Sequence, residues 1–247
     1  MPGSAVAVEI AVQDLEGVRI ALGEGADTVE LCAALGVGGL TPSAGVVELA
    51  AELARDAGRQ GFLHVLVRPR PGGFYYTGNE IDVILRDIRQ LRELGADGIV
   101  TGVLDERGQV DIDTMHGLVD AAGPIGVTFH RAIDVAPHPV SAVEKLAQLG
   151  VRRVLSSGQA KRSVDGVDLL CAMTAKTAGR VNIIAGGNVA PSDIPVLAAA
   201  GVHGVHLSAR HVVVGTASGP GGGDTAYDAT DVALVRSAVE AARRHTS

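Results

Sequence analysis

Residues 94–103 read LGADGIVTGV. Four turn-like residues lead into a short β-branched run, and the same junction returns three more times: EGAD at 24–27, LGVR at 149–152 and AGVH at 200–203. A glycine just past a helix supplies the left-handed residue that ends it. An apolar run directly afterwards starts a strand. A helix-to-strand junction recurring along a chain is the mark of repeated βα units.

Working outward, eight strand-like runs emerge: 5–12, 28–32, 62–68, 98–103, 126–130, 152–157, 181–186 and 204–209. Helical spacing follows each one. Asp14 is positioned to cap the first helix, and Ser43 sits near the start of a second that runs to about 57. Asn79 and Glu80 open a third, and further helices fit 111–121, 139–149, 163–178, 191–199 and 230–244. Eight units in 247 residues predict a single-domain (βα)8 TIM barrel spanning 1–247. A doubly wound sheet would carry a GxGxxG turn after its first strand, and none is present. The glycine-rich stretch 215–224 is expected to be a mobile loop after the eighth strand.

Composition narrows the function. The formal charge is −7, with no basic stripe interleaved with aromatics, so nucleic acid is not an expected partner. No apolar stretch reaches membrane-spanning length and no signal peptide precedes the first strand. Two cysteines, Cys32 and Cys171, are too few for a disulfide scaffold. These features predict a soluble cytoplasmic protein.

Strand alternation then assigns faces. Glu9, Thr28, Glu30, Cys32, His64, Leu66, Arg68, Thr128, His130, His206 and Ser208 point into the lumen. That lumen is far more polar than the branched apolar filling usual in such barrels. Glu9, Glu30, Arg68 and Arg70 are expected to compensate one another, either as a structural network or as part of a pocket. The stretch VTFHRAID (127–134) ends a strand on His130, Arg131 and Asp134, at the C-terminal mouth where the sites of this fold lie. By alternation alone Arg131 faces outward. The turns SSGQ (156–159), AGGN (185–188) and LSAR (207–210) offer Ser157, Gly158, Gly186, Gly187 and Ser208 around a bound phosphate or carboxylate.

The motifs GADTVELC (25–32), GGLTPS (38–43), VRPRPGGFYY (67–76), GADGIVTGVL (95–104), VTFHRAID, RVLSSG (153–158) and VHLSAR (205–210) together resemble the CutC family, named for copper homeostasis. The resemblance implies a cytoplasmic TIM barrel, often dimeric, with a copper-binding label and no settled reaction. It carries the family's pocket residues onto Glu9, Glu30, Arg68, Arg70, His130, Arg131, Asp134, Ser157, Gly158, Gly186, Gly187 and Ser208. It also places Cys32 as a ligand for Cu(I). Where some members carry a second cysteine, this chain has Ala11; Gly73 and Thr28 replace an acid and an arginine. One thiolate cannot form a two-sulfur Cu(I) site, so His64 is the remaining co-ligand candidate. Two readings follow. One is a copper-homeostasis protein. The other is an enzyme with Glu9, Glu30, His130 and Asp134 as acid–base groups and Arg68, Arg70 and Arg131 gripping an anionic, sugar-like substrate. No lysine stands at a strand end, which argues against a Schiff base.

Overall fold

The computed structural model describes residues 6–215, 219–220 and 225–244. Eight parallel strands close into a barrel: β1 (Ala7–Val12), β2 (Thr28–Leu31), β3 (Leu63–Leu66), β4 (Gly98–Thr101), β5 (Gly126–Phe129), β6 (Arg153–Ser156), β7 (Asn182–Gly186) and β8 (Gly204–Leu207), with β8 pairing back onto β1. Helices α1 (Leu15–Glu24), α2 (Ala44–Asp56), α3 (Gly78–Glu93), α4 (Ile112–Ala122), α5 (Pro139–Gln148), α6 (Val167–Thr177), α7 (Ile194–Ala199) and α8 (Val232–Arg244) form the outer ring. The expected single (βα)8 barrel is the observed one.

The repeated turn has a physical role. Asp27 Oδ2 accepts the amide N–H of Val8, and Asp97 Oδ2 accepts that of Leu63. Each Asp returns its own N–H to the same residue's carbonyl. The fourth turn residue thereby ties the start of its own strand to the strand before it. In AGVH the job passes to His203, whose Nδ1 accepts from Ile183 N. These donors lie at the barrel's bottom, where a strand has run out of neighbours and an unpaired N–H would be costly.

Outward-facing Val8, Ile10, Val29, Val65, Val127 and Phe129 are buried against the helices. Asp14 caps α1 as expected, through Gly17 N. The α3 cap is Thr77 rather than Asn79. Its hydroxyl and Glu80 form a reciprocal capping box two residues upstream of the expected start. One element was absent from the sequence reading. An antiparallel hairpin of β9 (Arg210–Val214) and β10 (Ala226–Thr230) stands over the barrel mouth between β8 and α8. The two strands flank the glycine-rich stretch 215–224 expected as a mobile loop, of which 216–218 and 221–224 lie outside the described residues. Among the described residues no helix is long and apolar enough to cross a membrane.

Candidate functional site

The lower lumen is organised by a cation that strand alternation had not placed. Arg153, from β6, donates to Glu9 Oε2 at 2.6 Å, and its other amino group meets the His64 ring at 2.9 Å. Arg153 therefore takes the position expected of Arg68. The run RRVLSS offers two arginines in opposite phases, and the inward one was identifiable only once β5–β6 register was known. Glu9 also accepts from Thr28 Oγ1 and shares a 3.0 Å contact with His206 Nδ1. Burial pushes the Glu9 carboxyl up, but Arg153 and the His206 bond outweigh it and hold Glu9 well below the usual range. For His206, burial opposes the charged form while Glu9 and Glu30 favour it, and the balance lies above the ordinary histidine value. His64 is driven down to about 4, first by burial and then by Arg153. Gly98 makes its seat possible, since a side chain there would collide with the imidazole.

Above this layer Glu30 stands differently. It is 6 % exposed, and among the described residues its Oε2 has no hydrogen-bond partner and its nearest ion-pair atom is His206 Nδ1 at 4.0 Å. Burial, together with the Glu9 charge and against the pull of His206, raises its carboxyl to about 6. Glu30 borders a cavity of about 420 Å3 at the C-terminal mouth, walled also by Arg68, Phe74, His130, Arg131, Asp134, His206, Ser208 and Arg210. That volume suits a small metabolite.

Each expected site residue can now be located. Glu30, Arg68, His130, Arg131, Asp134, Gly187 and Ser208 share the cavity. Arg131 lines it because the strand ends at Phe129 and the chain turns into a short 3-10 helix, Arg131–Val135, so alternation no longer applies. Asp134 is used structurally. Its carboxylate accepts from Ser156 Oγ, Ser157 N and Ser157 Oγ, and pairs with Arg131 Nε at 2.9 Å. Ser157 N and Gly158 N are therefore engaged, by Asp134 and by Ser156 Oγ, and are not available to cradle a phosphate as expected. Gly186 ends β7 against Leu155 and lies outside the cavity wall. Arg70 also leaves the group. Its guanidinium binds Glu80 at 2.5 Å and the carbonyls of Pro71, Gly73 and Tyr75, locking its own loop to the start of α3. Glu9 lies beneath the cavity, in the Arg153 layer. Arg210, which sequence reading had not singled out, reaches the wall from β9 and pairs with Asp228 across the hairpin.

Cys32 does not fit a thiolate copper centre. It is fully buried among Leu66, Val100 and Leu35. Burial first, then the Glu30 charge, push its thiol above the ordinary value, and no second cysteine stands beside it to complete a two-sulfur site. Cys171 is remote on α6, with Sγ on the Ala200 carbonyl, and His64 is committed to Arg153. Among the described residues the one cluster of three His, Cys, Asp or Glu ligand atoms within 4.8 Å is Glu9, Glu30 and His206, without sulfur.

Closed barrel, polar lumen and ionisable cavity at the strands' C-terminal ends define a TIM barrel with a candidate site at the mouth. The CutC family model matches residues 6–211. The family protein CutC of Xanthomonas axonopodis pv. citri (strain 306) is 40 % identical over 241 residues, 95 % of this chain and 98 % of that one. Its counterpart from Klebsiella pneumoniae is 47 % identical over 188 residues, 76 % of this chain and 73 % of that one. A crystal structure of CutC from Streptococcus agalactiae superposes with a TM-score of 0.78 at 27 % identity, covering 82 % of this chain and 98 % of that one. The chain belongs to the CutC family.

Proposed function

We propose that this protein is an acid–base enzyme acting on a small anionic molecule at the barrel mouth, with Glu30 as the group that takes and returns a proton. The observation that carries this reading is Glu30 itself: a carboxyl buried at a cavity wall, with an unpartnered oxygen and its titration raised to about 6. Buried polar atoms are almost always satisfied, so an exception at a cavity calls for a function. A carboxyl poised near neutrality is matched to general acid–base work.

The surroundings support the same chemistry. Arg131 and Arg210 are paired with Asp134 and Asp228, and Arg68 is the wall cation that no carboxylate pairs with among the described residues, which suits an anionic substrate. The Glu9–Arg153–His206 set beneath fixes the field that Glu30 feels. The name of the S. agalactiae relative connects it with copper homeostasis. Cys32, buried in an apolar layer with no second sulfur, gives that reading little support here.

The test is isotopic. Purified protein is incubated in D2O with a mixture of small anionic metabolites, and mass gain is followed by mass spectrometry. At least one compound should gain deuterium or be converted with the wild type and remain unchanged with Glu30→Gln. A mixture left unlabelled and unconverted by the wild type would sink the proposal.

A further inference from the structure

His130 was expected to share the acid–base work, and its geometry assigns it a different part. It is 5 % exposed, at the end of β5. Its Nδ1 accepts from Ala132 N at 3.3 Å, which places the ring proton on Nε2. That Nε2 is buried and has no partner among the described residues. The ring cannot easily turn to find one. Phe74 packs on it with centroids 4.7 Å apart, Phe129 meets it edge-on at 5.9 Å, and Gly102 presses from the residue after β4. A Cβ on Gly102 would lie 2.5 Å from Nδ1, so the chain leaving β4 has no side chain where the imidazole sits.

Arg68 shares this wall. Its buried guanidinium is held by the carbonyls of Val37, Gly39 and Gly72, and no carboxylate pairs with it among the described residues. Phe74 stands over both groups, 5.2 Å from the Arg68 guanidinium carbon. The cavity wall thus carries a buried neutral N–H donor and a buried cation, neither with an anionic partner among the described residues. Both needs are met by one kind of ligand atom, an oxygen carrying or gaining negative charge.

On the reading that Glu30 moves a proton, we infer that His130 Nε2–H and Arg68 form the carbonyl-oxygen subsite of an enolising centre, whose substrate is a small carbonyl compound bearing a separate anionic group. Glu30 removes the proton from the carbon next to the carbonyl. The C–H electron pair becomes the C=C bond, and the carbonyl π pair moves onto oxygen. That oxygen accepts the His130 hydrogen bond beside Arg68. Return of a proton from Glu30 to the same carbon restores the carbonyl and completes an exchange with solvent hydrogen, with no other reactant. Burial first, and then Arg68, hold the His130 ring down to about 3, so it remains a neutral donor while charge develops. Neutral imidazole is suited to that work because it polarises a carbonyl without giving up its proton.

Three variants separate this role from its rivals. Gln can present an N–H near the position of His Nε2 and cannot act as a general acid or base; Leu fills the site without a donor. The probe is oxalate, a planar dianion resembling an enediolate, titrated by calorimetry at fixed ionic strength. Oxalate should bind the wild type, bind His130→Gln within about threefold, and bind His130→Leu at least tenfold more weakly, while Arg236→Ala, which removes an exposed pair with Glu24, binds normally. In 15N-histidine spectra the His130 ring should stay neutral with its proton on Nε2 from pH 5 to 8, and that proton should move downfield with oxalate. Equal losses in His130→Gln and His130→Leu, titration of the ring within that range, no response of the Nε2 proton, or no oxalate binding would each overturn the assignment. Deuterium labelling keeps the two ideas apart. Labelling that needs Glu30 but proceeds at full rate in His130→Leu, or that falls on a compound without a carbonyl, removes this subsite and leaves the proton-transfer reading standing.

Discussion

Replacing Glu30 with glutamine should stabilise the protein, and only on the alkaline side. The folded barrel raises this carboxyl from its ordinary 4.5 to about 6, chiefly by burial. Between those two values the folded state holds a proton that the unfolded chain has released, so stability falls as pH rises through the window. The full difference corresponds to about 2 kcal/mol. It is reached above pH 7, where the folded protein carries the buried carboxylate. Glutamine has nearly the same shape and no charge, and His206 keeps its contact with Glu9. Urea unfolding of both proteins at pH 4 and pH 8 is the assay, with thermal melts beside it. At pH 8 Glu30→Gln should be more stable by about 2 kcal/mol, a rise in melting temperature of roughly 4–8 °C for a chain of this size. At pH 4, where both side chains are neutral, the two curves should nearly coincide. A gain of equal size at both pH values would mean the effect is not electrostatic. A loss at pH 8 would mean the carboxylate is satisfied in a way that refutes its place as the strained group of the site.

Other consequences follow from the same geometry. Deuterium labelling by the wild type should rise with pH through about 6, as Glu30 becomes the carboxylate that accepts the proton; a profile flat from pH 5 to 8 would point to another base. Arg153→Met leaves the Glu9 carboxylate with His206 as its remaining cationic partner, and chemical denaturation should show a loss of about 3–5 kcal/mol, the usual result of breaking a buried pair from one side. Gly102→Ala should weaken oxalate binding by driving the His130 ring from its seat, with calorimetry as the readout; unchanged affinity would show that the ring position does not matter. In an anaerobic Cu(I) competition titration, wild type and Cys32→Ala should compete equally weakly. Tight one-to-one binding lost in Cys32→Ala would return copper handling to the lumen.

The barrel was legible because its signals are local. A glycine that ends a helix, an aspartate that ties a strand start to its neighbour and a short β-branched run lie within ten residues of one another in LGADGIVTGV, and they mean the same thing wherever they recur. Strand alternation likewise put Glu9, Glu30, Cys32, His64, His130 and His206 in the lumen, because the two-residue period is a property of the strand and needs no partner. It failed at Arg131, where the strand had already ended. The β9–β10 hairpin was missed because its pairing bridges a glycine-rich stretch with no strand signal of its own.

What only the tertiary structure decided is which charge meets which. Arg68, Arg70 and Arg153 are equivalent cations when read along the chain. Barrel closure brings Arg153 to Glu9 across 144 positions, leaves Arg68 on backbone carbonyls at the mouth, and turns Arg70 outward to Glu80. The same closure spends Asp134 on holding the β6 turn and leaves Glu30 and His130 with unpartnered atoms at a cavity wall. The ionisable groups were determined by residue type. Their burial and pairing, and hence their protonation, depend on distances between strands far apart in the chain, which no local pattern encodes.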